Sequence, residues 1–375
     1  MLVEKVNIVG FRNLKLVAIE TKASVNCFYG KNGSGKTSLL EALYFLSRAR
    51  SFRSNKRNHL INSDESYLAV AASLEQSGSH KLGLDLDEKG NSRLKLDGEI
   101  LNRLSEGTAI FPVQLITPES FDVFFSSPKA RRGFLDFGLF HVEHDYQKCW
   151  SDYHKQQKQI NALLKLGNAD TKELTFWYRG LVESANLVEE FRNGFIENLL
   201  QPILDELTEN LKNKETVELL KAIKVKYKSK LFDATEDLDK AIQHQIFKDQ
   251  RYKQVGFGPS KADILFTQNG EDITNKLSRG QSKMLFYLLE VGMVRLVKKV
   301  SNKNMLLLID DLPSEVDEFT RETMLEMLLN SEAQVFVTGI ESKIAMEFKK
   351  YTNSVNVFHV EHGTIKPENM EQLCP

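Results

Sequence analysis

The sequence predicts an α/β protein whose core is interrupted by an inserted, mainly helical subdomain, and three observations predict it. A glycine-rich loop, Gly30-Lys31-Asn32-Gly33-Ser34-Gly35-Lys36-Thr37, stands between an apolar strand and an amphipathic helix. A long middle stretch has helical periodicity and few glycines, and the last third returns to apolar strands alternating with helices. The expected division is therefore 1–118 for the first part of the core, 119–254 for the helical insertion and 255–375 for the second part of the core.

A chain of 375 residues, 41% hydrophobic and 27% charged, is long enough to bury a large core and too apolar for disorder. Lys plus Arg (50) nearly balance Asp plus Glu (51), so any binding of nucleic acid must come from a local basic face. Cys27, Cys149 and Cys374 are odd in number and scattered without a C-x-x-C pair, which argues against a disulfide framework and against zinc. There is no signal peptide and no apolar run of the ~18 residues that a membrane span needs, so a cytoplasmic protein with no membrane contact is expected.

Residues 3–9 alternate as a strand and pair with 14–19 across the turn Phe11-Arg12-Asn13. Residues 25–29 form the strand that enters the glycine loop, and Leu39, Leu40, Leu43 and Leu46 make one apolar stripe on the helix that leaves it. That context completes the pattern G-x-x-x-x-G-K-[ST], a cradle for a phosphate chain. Glycine at 30, 33 and 35 removes Cβ atoms that would block the turn. The bare N–H groups and the positive end of the helix dipole then face the phosphates. Lys36 can reach the terminal phosphates and the Thr37 hydroxyl can hold a magnesium ion, so Gly30, Lys31, Asn32, Gly33, Ser34, Gly35, Lys36, Thr37 and Ser38 are the candidate nucleotide-binding residues.

Residues 48–59 carry five Lys or Arg, no acid and one aromatic. Arg53, Lys56 and Arg57 are the candidate contacts to nucleic-acid phosphates, Phe52 can stack or anchor the segment, and a solvated loop is the plain alternative. Strands follow at 67–74, 81–86 and 93–96, and again at 111–117, closed by Pro118. Within 119–254 the stripe Tyr178, Leu181, Val182, Ala185, Val188, Phe191 and Phe195 is core packing. Arg131, Arg132, Lys155, Lys158 and Lys165 offer a basic face, and the periodicity is too short for an extended coiled coil.

In the last third a strand is expected at 263–267, a helix from Ser278 through 300, a strand at 305–309, a helix at 321–329 and a strand at 334–338. The apolar run before Asp310-Asp311 places Asp310 at the rim of a parallel sheet, where it can hold magnesium together with Thr37, while Asp311 orients or deprotonates a water. Ser278-Arg279-Gly280-Gln281 presents a second set of bare N–H groups, either a grip on a γ-phosphate or an ordinary helix cap.

In this order around a helical insertion, GKNGSGKT, LSRGQ and LLLIDDLPSEVD resemble the ABC-type ATPase heads of the SMC class. GFRNL, SFR, LITPESF, RRGFLD, VGFGPSKADI, LSRGQSK, IDDLPSEVD and QVFVTGI extend the likeness along nearly the whole chain, to the RecF family of bacterial recombination mediators. The resemblance implies an ABC/SMC-type P-loop ATPase head with ATP and Mg2+ as cofactors. Lys36, Asp310 and Asp311 are then catalytic, Thr37 and Asp310 hold the metal, and Ser278, Arg279, Gly280 and Gln281 form the signature motif that completes a partner protomer's site. Ser314-Glu315-Val316-Asp317 resembles the D-loop. It further implies an ATP-dependent homodimer on double-stranded DNA and on gapped or single-stranded DNA and its junctions with duplex, RecR and RecO as partners, and weak, DNA-stimulated hydrolysis in support of RecA loading.

Three departures from the pattern stand out. Gly339 replaces the histidine that most ABC heads carry after that strand, and Ser260-Lys261 stands where RecF relatives often have His-Arg. Gln114 is either the Q-loop glutamine or a core-strand glutamine satisfied by backbone. The rival readings are a small-molecule kinase, which would have no use for residues 278–281, a transporter's ATPase subunit, and a cohesion factor, which would need a coiled coil.

Overall fold

The computed structural model describes residues 2–75, 78–104, 106–167, 170–231, 237–274, 276–312 and 316–369. The chain divides into two compact units, Met1–Phe121 with Gly280–Pro375, and Asp122–Arg279. In chain order the first part supplies β1 (Leu2–Phe11), β2 (Leu14–Glu20), β3 (Val25–Tyr29), α1 (Lys36–Arg48), β4 (Tyr67–Glu75), β5 (Ser79–Asp87), β6 (Ser92–Leu96), β7 (Glu99–Ile100), α2 (Glu106–Ile110), β8 (Val113–Ile116) and α3 (Pro118–Ser126). The middle supplies α4 (Pro128–Val142), α5 (Tyr146–Leu166), α6 (Thr171–Phe195), α7 (Gln201–Glu209), α8 (Lys214–Lys221), β9 (Lys224–Lys228), α9 (Leu238–Tyr252), β10 (Asp263–Gln268) and β11 (Glu271–Asp272). The last part supplies α10 (Arg279–Ser301), β12 (Leu306–Ile309), α11 (Glu318–Asn330), β13 (Gln334–Gly339), α12 (Lys343–Lys349), β14 (Val355–Glu361) and β15 (Thr364–Glu368).

Among the described residues, the α/β unit holds two six-stranded sheets. The order β2-β1-β4-β5-β6-β7 is antiparallel throughout, and the alternation along β4, and along β5 from Leu82, is that of strands with one wet face. The second, β15-β14-β3-β13-β12-β8, is parallel except for its edge strand β15. Its β12 reads LLLI and is buried at every position, because both faces of a parallel sheet are covered. One core joins the sheets to α1: Ile8, Val70 and Leu84 from the first, Phe28, Leu308 and Phe336 from the second, and Leu39, Leu43 and Phe45 from the helix. That packing fixes the direction in which the loop before α1 opens.

Among the described residues, the Asp122–Arg279 unit holds the end of α3, helices α4 to α9 and a three-stranded sheet in the order β11-β10-β9. In the α6 stripe Tyr178, Leu181, Val182, Ala185, Val188 and Phe195 are buried, and Phe191 packs edge-on to Tyr146. Two expectations are corrected here. The strand at 263–268 does not open the second part of the core; it pairs antiparallel with β9, and its Asp263 holds the buried Arg131 at 2.8 Å, so the unit runs to Arg279 and not to 254. Its burial pattern alternates as a strand's does, but a pattern cannot name the partner strand. Nor do Arg131 and Arg132 form a basic face. Arg131 also donates to the carbonyls of Phe124 and Phe125, and Arg132 donates to the Ala262 carbonyl at 2.6 Å. No described helix is long and apolar enough to cross a membrane.

Candidate functional site

The glycine loop leaves the carboxyl end of β3, between its parallel neighbours β13 and β14, and enters α1 at Lys36. Neighbouring backbone clamps it: the Gly30 N–H donates to Gly339 O, the Gly363 N–H donates to Ser34 O at 2.8 Å, and Asn13 Nδ2 donates to Gly33 O at 3.2 Å. Asn13 also accepts from the Ser38 hydroxyl at 2.8 Å, so the turn between β1 and β2 pins both limbs of the loop. A Cβ at Gly30 would sit 2.1 Å from Val360 O, which excludes any other residue there. At Gly33, with φ +79, the Cβ direction is empty to 4 Å.

Two features inside the loop call for an anion. The amino end of α1 has no side-chain cap and no acid in its first turn, so its N–H groups and dipole are left to a ligand. The Ser34 hydroxyl oxygen is buried with no partner among the described residues. Lys36, itself buried, folds back to donate to Gly30 O at 2.7 Å and Lys31 O at 3.1 Å, contacts that a phosphate oxygen can replace.

At the rim of the same sheet, Asp310 follows β12 directly and its N–H donates to Ile116 O. Its Oδ1 accepts from Thr37 Oγ1 at 3.0 Å and from Thr338 Oγ1 at 2.9 Å, which brings together residues 273 and 28 positions apart. Burial pushes the Asp310 carboxyl above its ordinary range, the nearby charges of Asp311 and Glu119 add to that, and the two hydroxyls oppose it. Asp311 is exposed, with φ +51, and its N–H donates to Thr338 Oγ1 at 2.9 Å. Thr338 therefore holds the Asp310 carboxylate and the Asp311 backbone. Sequence reasoning missed it, although a polar residue near the end of the buried strand QVFVTG was the available signal.

Glu41, fully buried on α1, gathers the basic segment. It accepts from Arg12 Nε at 3.0 Å and Nη2 at 2.8 Å, pairs with the Ser51 hydroxyl, and lies 3.7 Å from Arg53. Phe52 packs edge-on to Tyr44 at 5.5 Å, so it anchors the segment to α1. Lys56 and Arg57 are exposed, as is half of the Arg53 side chain.

Other candidates fall elsewhere. Ser278 and Arg279 close one compact unit while Gly280 and Gln281 begin the other, in the first turn of α10. Ser314 and Glu315 lie outside the described residues, and Asp317 caps α11 by accepting from the Thr320 N–H at 2.9 Å. Gln114 is a core-strand glutamine, as one of the two readings had it, but with a different partner. It lies inside β8, separated from the rim by Leu115 and Ile116, and its partner is the Glu290 carboxyl of α10, not backbone.

A family model described as the RecF/RecN/SMC N terminal domain matches residues 2–366. The chain is 35% identical to the DNA replication and repair protein RecF of Pseudoalteromonas translucida over 358 residues, 95% of this chain and 96% of that one. It is likewise 35% identical to the RecF protein of Shewanella oneidensis over 362 residues, 96% of this chain and 98% of that one. Among solved structures, the recombination mediator protein RecF of the RecFOR pathway superposes with TM-scores of 0.79 with ATPrS and 0.77 with ATP, at 23% and 24% identity over 98% of this chain and 98% and 99% of those. The Smc head domain of Pyrococcus furiosus, bound to the C-terminal domain of ScpA, follows with a TM-score of 0.56 at 15% identity, covering 99% of this chain and 97% of that one. The fold is thus that of an SMC-like ABC ATPase head.

Proposed function

Because the chain belongs to the RecF/RecN/SMC family, and within it to the RecF proteins, we propose that it is an ATP-dependent DNA-binding recombination mediator, and that two copies close on each nucleotide. The observation that carries this reading is the meeting of the Thr37 hydroxyl and the Asp310 carboxylate at 3.0 Å, beside an uncapped helix end. A triphosphate with magnesium fits what is there. The loop's N–H groups and the orphan Ser34 hydroxyl suit phosphate oxygens, and a hydroxyl beside a carboxylate is the oxygen donor set that magnesium accepts. Bound magnesium would draw charge from the phosphoryl oxygens.

The protein's own residues do the rest. Residues 30–38 grip the phosphates through backbone, Lys36 exchanges its loop carbonyls for phosphate oxygens, and Asp311 orients the attacking water or takes its proton. Residues 278–281 of a second copy cap the γ-phosphate. Closure of the dimer presents a basic surface, with Arg53, Lys56 and Arg57 as phosphate contacts, to double-stranded DNA and to gapped junctions. Slow, DNA-stimulated hydrolysis then releases it, in the cytoplasm, in concert with RecR and RecO as RecA is loaded.

Retention on gapped and blunt duplexes, with and without ATP, tests the reading. Lys36→Ala should weaken ATP binding more than about tenfold and abolish the ATP-dependent part of DNA retention. Wild-type retention in that variant would overturn the proposal. Ser278→Arg should leave ATP binding by the single chain intact and remove the ATP-dependent dimer in sedimentation velocity; a persistent dimer would remove the second copy from the scheme.

A further inference from the structure

The outer face of α9 carries a pattern that none of these assignments uses. With about 3.6 residues per turn, Lys240, Phe247 and Arg251 fall in one stripe, flanked by Lys248 and Tyr252 and directly opposite the buried Ile242, Ile246 and Asp249. Phe247 is 56% exposed and Tyr252 76% exposed, which is unusual for large rings on a helix that has a buried face of its own. The Arg251 guanidinium lies over the Phe247 ring, 4.6 Å from its centre. The helix's acids do not neutralise this face. Asp239 is held by Arg179 of α6 at 2.6 Å, and Asp249 is buried, accepting from Tyr178 at 2.8 Å.

We propose that this face of α9 binds single-stranded nucleic acid, with phosphates on Lys240, Lys248 and Arg251 and unpaired bases stacked on Phe247 and Tyr252. The inference rests on the DNA-binding reading above and gives it a second, strand-selective surface. Cations alone would serve any polyanion. Rings interleaved with them are of use to a ligand that offers flat aromatic faces, which unpaired bases do and the stacked bases inside a duplex do not. Charge complementarity and the rings together therefore favour a single strand over a duplex and over an acidic protein.

The test uses the full chain with ATP and magnesium and two fluorescein-labelled probes, an oligothymidylate of about 20 nucleotides and a blunt duplex of the same length, followed by anisotropy across a salt series. The double variant F247A/Y252A, whose rings are exposed, should melt like the wild type, lose about tenfold or more in affinity for the single strand, and bind the duplex as before. The triple variant K240Q/K248Q/R251Q should lower the slope of log affinity against log salt on the single strand by about 2. Wild-type binding of the single strand by F247A/Y252A, or an equal loss on both probes, overturns the proposal. So does a loss confined to an acidic polypeptide probe such as polyglutamate, which would assign the face to a protein partner. Failure of the DNA-binding reading itself would appear differently, as a wild-type chain that binds neither probe.

Discussion

Glu290 lies sealed inside the α/β unit on α10, with the Gln114 amide as its hydrogen-bond donor and the positive charge of Arg48 nearby. Burial pushes its carboxyl up from 4.5 to about 8, and the hydrogen bond and the Arg48 charge only partly oppose that. Because the folded value lies above the unfolded one, the stabilising contribution is fully present below about pH 4.5 and is lost as the pH rises through about 8. Across that window the native chain keeps a proton that the unfolded chain has released, so stability falls by about 1.4 kcal/mol per pH unit from this group alone. Glu290→Gln replaces the carboxyl with a neutral group of the same shape and removes the dependence. Relative to wild type, the variant should gain about 3 kcal/mol between about pH 5.5 and about pH 8. The assay is urea unfolding followed by far-ultraviolet circular dichroism, since Trp150 and Trp177 lie in the other unit and their fluorescence would report on it. Subtracting the two profiles cancels every other titration. Parallel profiles, within about 0.5 kcal/mol at all pH values, would mean that Glu290 is ionised in the native core and would refute the argument.

Thr338→Val keeps the shape but leaves Asp310 with Thr37 as its hydroxyl donor and the Asp311 N–H without its acceptor. A loss of about 1–3 kcal/mol in unfolding free energy is expected, together with weaker magnesium-dependent nucleotide binding in calorimetry; no change in either would remove the ordering role. In the other unit, Arg192 is buried against Asp136 at 2.7 Å, the Pro259 carbonyl at 2.7 Å and the Tyr227 hydroxyl at 3.0 Å. Arg192→Met leaves the Asp136 charge without its cation, at a cost of about 3–5 kcal/mol. The tryptophan-monitored transition should move to lower urea while that of the α/β unit stays in place, and a single shared shift would contradict independent units.

The phosphate loop was legible because its physics is local. Three glycines, a lysine and a threonine between a strand and a helix specify the turn whatever surrounds them, and the structure adds only the clamp from Asn13 and Gly363. Asp310 was legible because an apolar run that ends in a carboxylate can only end at a sheet's rim. Thr338, Glu41 and Glu290 were not, since each acquires its role from a partner many residues away. The hairpin β14-β15 went unread for a similar reason: its Val355–Glu361 strand lies beside β3, a pairing of residues 330 positions apart.

Order along the chain, the local chemistry of the loop and the family were determined by the sequence by itself, because glycine conformations, helical and strand periods and the run before a carboxylate act over a few residues. Tertiary structure alone decided which sheet took the strand at 263–268, that the middle unit ends at Arg279, and which hydroxyls hold Asp310. Strand pairing and side-chain partnership are settled by the burial of faces against one another, and no local pattern encodes the partner.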